Sequence, residues 1–168
     1  LSYKEEHTKI KRINKINCDT LDNIFTNKSI DFLKLDTEGS ELSILEGGLN
    51  NLKERKIFMI KCEFVFFKYY KDHAIFGEIH NYLDGLGFRL ISLDLDQPKY
   101  SPRKSNLPIS NDRGMNYAGE AYFCLDFSKV KINRISCLRL GAVSLALGFN
   151  NLGLFLFEKS KYFSSNEF

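Results

Sequence analysis

The chain has few of the residues from which proteins build metal sites and disulfide frameworks. Its 168 residues include four cysteines and three histidines, with no Cys-x-x-Cys pair and no histidine at ligand spacing from another. This scarcity argues against a structural zinc site and against a disulfide-stabilised secreted scaffold. We therefore expect reduced, buried thiols in a cytoplasmic protein.

Strong charge and long apolar runs are also lacking. A formal net charge of +3 is too small to indicate a nucleic-acid partner, and the polar residues 1–15 do not form a signal peptide. The run from Leu138 to Phe157 is apolar enough to consider a membrane span, but it contains two asparagines, three glycines and Arg139. We expect these residues to pack on the protein and not to cross a bilayer.

Prolines occur only in the segment 96–119, which shows no helical or strand periodicity. A segment of this length inside one domain is typical of a lid, a binding loop or a disordered stretch. Its basic residues could contact an anionic or sugar-containing substrate, or could simply be solvated; they are Lys99, Arg103, Lys104 and Arg113.

The most informative stretch is an apolar run from Ile30 that ends in the acidic turn Asp36-Thr37-Glu38-Gly39-Ser40-Glu41. Leucines at helical spacing follow at once and predict a helix over 40–53. In α/β proteins, ligands bind beyond the carboxyl ends of parallel strands, which is where Asp36 would lie. The alternative is that Ser40 and the acids only cap the helix.

A second apolar run, 57–64, also ends near an acid, Glu63. Two continuous apolar strands joined by a helix predict a parallel βαβ unit. Asp36 and Glu63 would then meet at the same edge of the sheet.

The remaining elements are predicted from periodicity and helix-terminal residues. We expect an exposed edge strand around 10–16, a short helix capped by Asp19 or Thr20, and an antiparallel pair that brings the loop 96–119 beside Asp36 and Glu63. The predicted ranges are a helix over 74–86, strands over 88–95 and 120–127, and helices over 132–147 and 151–160.

The stretch 30–41, continued by the letters LSILEGG, resembles the central signature of FkbM-type methyltransferases. The preceding Thr20-Leu21-Asp22 resembles the Thr-Leu-Asp element of that family. Its later landmarks are resembled, in the same order, by the strand ending at Glu63, Gly87-Phe88 and the run from Gly119 to Phe123. The resemblance covers residues 18–127.

The resemblance implies an S-adenosylmethionine-dependent enzyme that methylates oxygen, with a Rossmann-like class I sheet. It also implies an upstream glycine-rich turn for the cofactor, yet residues 1–38 contain no Gly-x-Gly. Two further strand–helix units would need on the order of 60 residues, and the chain opens with Leu1. We expect a fragment truncated in its N-terminal half, which exposes the edge of the strand ending at Asp36 and shows no measurable methyl transfer alone. Residues 1–130 would form the partial methyltransferase domain and 131–168 a helical tail.

Carried onto this chain, the resemblance and the strand ends predict the site residues. The predicted catalytic residues are Asp36, Glu38 and Glu63; the predicted cofactor contacts are Asp36, Thr37 and Gly39; and the predicted acceptor contacts are Lys34, Glu41 and Glu120. Lys34 would pair with an acid and lower its pKa, or else extend into solvent. Glu41 has an alternative role as a partner of the helix dipole. No metal is expected, and the acceptor would be a small molecule or a glycan, with its hydroxyl on a sugar, a lipid-linked glycan or a natural product.

Two other functions fit parts of the sequence. The acidic turn is similar to the aspartyl-phosphate motif of haloacid dehalogenase-like phosphatases, in which Asp36 would be the nucleophile. The chain could also be a non-catalytic fragment or an interaction module.

Overall fold

The computed structural model describes residues 12–26, 28–68, 73–96, 115–128, 130 and 132–162. Four strands form one sheet in the order β1-β2-β4-β3. The strands are β1 (Ile30–Leu35), β2 (Ile57–Val65), β3 (Phe88–Leu95) and β4 (Ala118–Leu125). The helices are α1 (Leu21–Ile24), α2 (Glu41–Glu46), α3 (Leu49–Lys53), α4 (Phe76–Gly85), α5 (Arg134–Ala146) and α6 (Asn150–Ser160).

Strand directions follow the predicted pattern. β1 and β2 are parallel, and β4 is antiparallel to both β2 and β3. The mixed α/β class, the parallel βαβ unit and the closing antiparallel pair are therefore confirmed. Among the described residues β1 pairs only with β2, so its other edge is open, as predicted.

The helix predicted over 40–53 is two short helices in the structure, α2 and α3, separated at Gly47-Gly48. The two glycines lie against the start of α1, where an added Cβ at Gly48 would come within 3.1 Å of the Leu21 side chain. The Asp22 carboxylate then accepts hydrogen bonds from the first amides of α3, Asn50 N at 3.0 Å and Asn51 N at 2.9 Å. This cap from α1 supplies the reason for a new helix start, because the first amides of a helix lack internal partners.

The two faces of the sheet carry different helices. On β4, the Phe123 ring lies 6.2 Å from the His80 ring of α4, whereas Tyr122 lies 5.3 Å from Phe149, in the turn between α5 and α6. Successive strand residues point to opposite faces. The α5–α6 hairpin therefore covers the face opposite to α4, and we call it the hairpin face.

Close backbone contact holds the hairpin together. An added Cβ at Gly141 would lie 2.8 Å from the Phe157 ring, and one at Gly153 would lie 2.7 Å from Leu145 Cγ. The side chains of Leu140 and Leu156 are fully buried in the same core as the strands. The two predicted tail helices are confirmed, with their ends within two residues of the predicted ones.

Three expectations differ from the structure or fall outside it. The edge strand predicted at 10–16 is wrong for the residues of it that the structure describes. Residues 12–20 are exposed and pair with no strand. Cys62, Cys124 and Cys137 are buried free thiols as expected, but Cys18 is exposed. Most of the loop 96–119 lies outside the described residues, including its four basic side chains. In the described ranges, no helix has the length and apolar character needed to cross a membrane.

Candidate active site

The two strand-end acids meet as predicted. Leu35 of β1 is paired with Cys62 of β2, so the next residues along the two parallel strands are Asp36 and Glu63. The negative charge of Asp36 is among those that raise the pKa of Glu63, so the two carboxyl groups lie within electrostatic reach of each other.

The pKa of Glu63 lies near neutral pH. Burial, followed by the negative charges of Glu38, Asp36, Glu41 and Asp96, together raise the pKa of Glu63 to about 7. A carboxyl group with such a pKa can exchange its proton at physiological pH, which is the property of a general acid or base.

Asp36 has the opposite tendency. The Lys34 ammonium donates to Asp36 Oδ2 at 2.5 Å and lowers the pKa of Asp36, while Asp36 in turn raises the pKa of Lys34. The predicted pairing of Lys34 with an acid is confirmed. The two acids therefore differ: a cation favours the ionised form of Asp36, whereas burial and neighbouring charge favour the protonated form of Glu63.

The acidic turn owes its shape to Glu41. This side chain is 3% exposed and its carboxylate accepts from Thr37 N at 2.7 Å, Thr37 Oγ1 at 2.8 Å and Gly39 N at 3.0 Å. Ser40 makes no side-chain cap to the helix. The capping alternative therefore does not describe Ser40, and both carboxylate oxygens of Glu41 are engaged within the chain.

The turn contains two left-handed residues in succession. Glu38 has φ 57° and Gly39 has φ 117°. A non-glycine residue in this region is uncommon and indicates a conformation imposed by its surroundings, here by the bonds to Glu41. Gly39 also lies against the buried His73 ring, since an added Cβ would come within 3.2 Å of His73 Cδ2.

A second ion pair, Lys61–Glu120, lies beside Lys34–Asp36 in the sheet, and we call these four residues the polar strip. Lys61 Nζ lies 2.5 Å from Glu120 Oε2 and 5.2 Å from the centre of the Tyr122 ring. The carboxylate of Glu120 raises the pKa of Lys61. Register places Lys61 beside Lys34 and opposite Tyr122, all on the hairpin face.

Three residues of this cluster were not predicted. Lys61 interrupts the apolar run 57–62, which was the available signal that its strand carries a polar side chain at mid-sheet. Tyr122 had no distinguishing pattern, and His73 was one of three scattered histidines. Their positions depend on cross-strand register and on how the segment after β2 returns to the turn.

Both ends of the long loop lie at this edge of the sheet. Asp96 N donates to Ala118 O at 3.1 Å, and Glu120 is paired with Glu63 on one side and Asp94 on the other. The prediction that the loop begins and ends beside Asp36 and Glu63 is confirmed for the described residues.

The geometry can be compared with known proteins. A family model described as the Methyltransferase FkbM domain matches residues 2–90, a span that covers more than half of the chain and includes Asp36, Glu63 and the turn between them. No curated protein and no solved structure matches the chain. The sequence motif around Asp36 and the family match agree, and the chain belongs to the FkbM methyltransferase family.

Proposed function

We propose that the chain supplies the acceptor-activating side of a methyltransferase that transfers a methyl group from S-adenosylmethionine to a hydroxyl oxygen. Family membership supports methyl transfer in general. The observation that carries the specific proposal is that Asp36 and Glu63 follow paired residues at the ends of two parallel strands, where the pKa of Glu63 is raised to about 7.

The two acids have different tasks in this proposal. A base is most effective when its pKa is near the working pH, which favours Glu63 over Asp36 as the group that removes the hydroxyl proton. Asp36, ionised and held by Lys34, accepts a hydrogen bond that orients the acceptor. Methyl transfer from a sulfonium is an in-line displacement, so such positioning contributes directly to the rate.

Glu38 and Glu41 act through other residues. Glu38 is exposed, and its charge helps to raise the pKa of Glu63. Glu41 is buried and sets the turn, so we assign it a positioning role. Lys34 and Glu120 border the open part of the hairpin face, where an acceptor would lie.

S-adenosylmethionine supplies the methyl group in this reaction, and the described residues offer only part of a site for it. The amides of Thr37 and Gly39 already donate to Glu41, and Gly39 packs against His73. Of the three predicted cofactor contacts, Asp36 has a half-exposed side chain, whereas the hydroxyl of the exposed Thr37 also donates to Glu41. The described residues therefore fit an acceptor site and do not form a complete cofactor cradle.

Substitution of Glu63 tests the proposal. In a protein that turns over, whether residues 1–168 alone or a longer chain that contains them, Glu63→Gln should lower kcat/KM for methylation by at least about 100-fold. The rate of the unsubstituted protein should rise as the pH increases through about 7, because Glu63 then loses its proton.

The matched control is Glu54→Gln, an exposed acid paired with Lys56 away from the strand ends. It should leave the rate unchanged. Undiminished turnover by Glu63→Gln would remove Glu63 as the base. Absence of methyl transfer over a panel of hydroxylated acceptors, with a folded protein, would favour the non-catalytic alternative.

A further inference from the structure

The α5–α6 hairpin lies outside the family match and has an uneven distribution of charge. From Leu140 to Phe157 the sequence contains no charged residue. The two helices run antiparallel, since Leu145 meets Gly153 and Gly141 meets Phe157. The uncharged stretch therefore forms one end of the hairpin, around the turn at 147–149.

This uncharged end is not fully covered by the protein. On α6, Leu154 is 56% exposed and Phe155 is 52% exposed. On α5, Leu145 is 36% exposed at the same end, while Ile135 and Leu138 are exposed further along the helix, towards its start. Leu154 and Phe155 are neighbours in sequence, and apolar side chains left in water side by side can be covered by a partner.

The opposite end of the hairpin is basic. Residues 132–162 contain four basic side chains and one acidic side chain, all within 134–139 or 158–161. Arg134 and Lys161 are exposed there. Arg139 bonds to Asp31 of β1 at 2.7 Å, and Lys159 lies near Phe127 O.

We infer that the hairpin binds the surface of an anionic membrane, with its uncharged end in the interface and its basic end at the lipid headgroups. Leu and Phe side chains beside Lys and Arg are the composition of elements that lie in the interfacial region. Basic side chains near the surface add electrostatic attraction to anionic lipids. Helices of 13 and 11 residues are long enough to enter the interfacial region and too short to cross the bilayer.

The uncharged end lies next to the candidate active site. Phe149 of the turn contacts Tyr122, whose ring lies beside Lys61. A hydroxyl acceptor with a lipid portion would thus reach the polar strip while its apolar part stays in the bilayer. This last step rests on the proposed function, whereas membrane binding does not, so a vesicle assay and a methylation assay can fail independently.

A fluorescent reporter tests the binding directly. The chain contains no tryptophan, so Phe155→Trp introduces a single indole at the uncharged end. Mixed phosphatidylglycerol–phosphatidylcholine vesicles should shift its emission to the blue, and lipids with brominated acyl chains should quench it. Ile13→Trp, at a position that is 84% exposed outside the hairpin, should show neither change.

Vesicle co-sedimentation separates the apolar and electrostatic contributions. Leu154→Ser with Phe155→Ser should weaken partitioning at least about tenfold. The matched control, Ile13→Ser with Ile16→Ser, removes two apolar side chains of similar or greater exposure and should have no effect. Arg134→Gln with Lys161→Gln should weaken binding to anionic vesicles about tenfold and make it less sensitive to salt.

Three results would overturn the inference. They are the absence of any emission shift with anionic vesicles, equal losses in the hairpin and control variants, or a dimer of the unsubstituted protein that Leu154→Ser with Phe155→Ser makes monomeric without lipid. The last result would identify a second copy as the partner. Circular dichroism and thermal melting of each variant establish that all are compared in the folded state.

Discussion

The acidic turn at 36–41 and the α5–α6 hairpin border the same sheet face, but different interactions hold them. The turn depends on one buried carboxylate, Glu41, which accepts three hydrogen bonds in defined directions. The hairpin depends on the absence of side-chain volume at Gly141 and Gly153, which lets two apolar helices touch.

This difference determines which changes each region tolerates. A hydrogen-bonded turn is sensitive to the loss of its acceptor, because its part-buried donors then lose their partner. A close contact at a glycine is instead disrupted by any added side-chain volume. The turn therefore positions reactive groups, while the hairpin presents an apolar surface.

Removal of the turn's acceptor is expected to have the largest effect on stability. Glu41→Leu leaves the amides of Thr37 and Gly39 without their acceptor and should lower the free energy of unfolding by about 3 kcal/mol. Glu46→Leu, at an exposed position on the same helix, is the control and should change it little. Urea denaturation of both variants measures the difference, and equal effects would show that Glu41 does not hold the turn.

Added side-chain volume in the hairpin is expected to have the second-largest effect on stability. Gly153→Ala places a methyl group against Leu145 and should destabilise the protein by about 2 kcal/mol. Gly77→Ala in α4 meets no atom within 4 Å, so it should stabilise the protein by about 0.5 kcal/mol through helix propensity. If thermal melting ranks the two variants in the opposite order, the close glycine contact does not stabilise the hairpin.

The charge state of the carboxyl pair should appear as a pH dependence of stability. Because the pKa of Glu63 is raised from 4.5 to about 7 in the fold, the unfolded chain releases this proton first. Stability from this group is therefore greatest below pH 4.5 and is lost as the pH rises to about 7.

Glu63→Gln removes that dependence, since glutamine stays neutral. Relative to the unsubstituted protein, the variant should gain about 1 kcal/mol of stability between pH 5 and pH 8, after allowance for solvent screening. Urea titrations at the two pH values measure it. If the stability difference between Glu63→Gln and the unsubstituted protein is the same at both pH values, Glu63 titrates normally. Glu54→Gln is the control, and its stability difference should be the same at both pH values.

The two ion pairs of the polar strip should give the smallest effects. The side chains of Lys61 and Glu120 are 17% and 32% exposed, whereas those of Lys34 and Asp36 are both 47% exposed. Lys61→Met should therefore cost at most about 1 kcal/mol, and Lys34→Met should cost less. Equal losses in chemical denaturation would indicate that burial does not distinguish the pairs.

Local patterns predicted most of the elements because burial repeats along a strand or helix at fixed periods. The strand at 88–95, the convergence of Asp36 with Glu63, and the pairing of Lys34 with an acid all followed from such patterns. The break at Gly47-Gly48 could not be predicted, because it depends on Asp22 reaching α3 from another element. The edge strand expected near Ile13 and Ile16 is not formed, because a strand also needs a neighbouring strand with which to pair.

The sequence by itself determined the strand–turn–helix at Asp36, the family to which that motif belongs, and the placement of acids at strand ends. These depend on residue type and short-range spacing. Only the tertiary structure decided that the pKa of Glu63 is raised, that Glu41 is a structural acceptor, and that Lys61 and Tyr122 lie beside the strand-end acids. Such properties arise from burial, register and neighbouring charge, which residues distant in sequence create together.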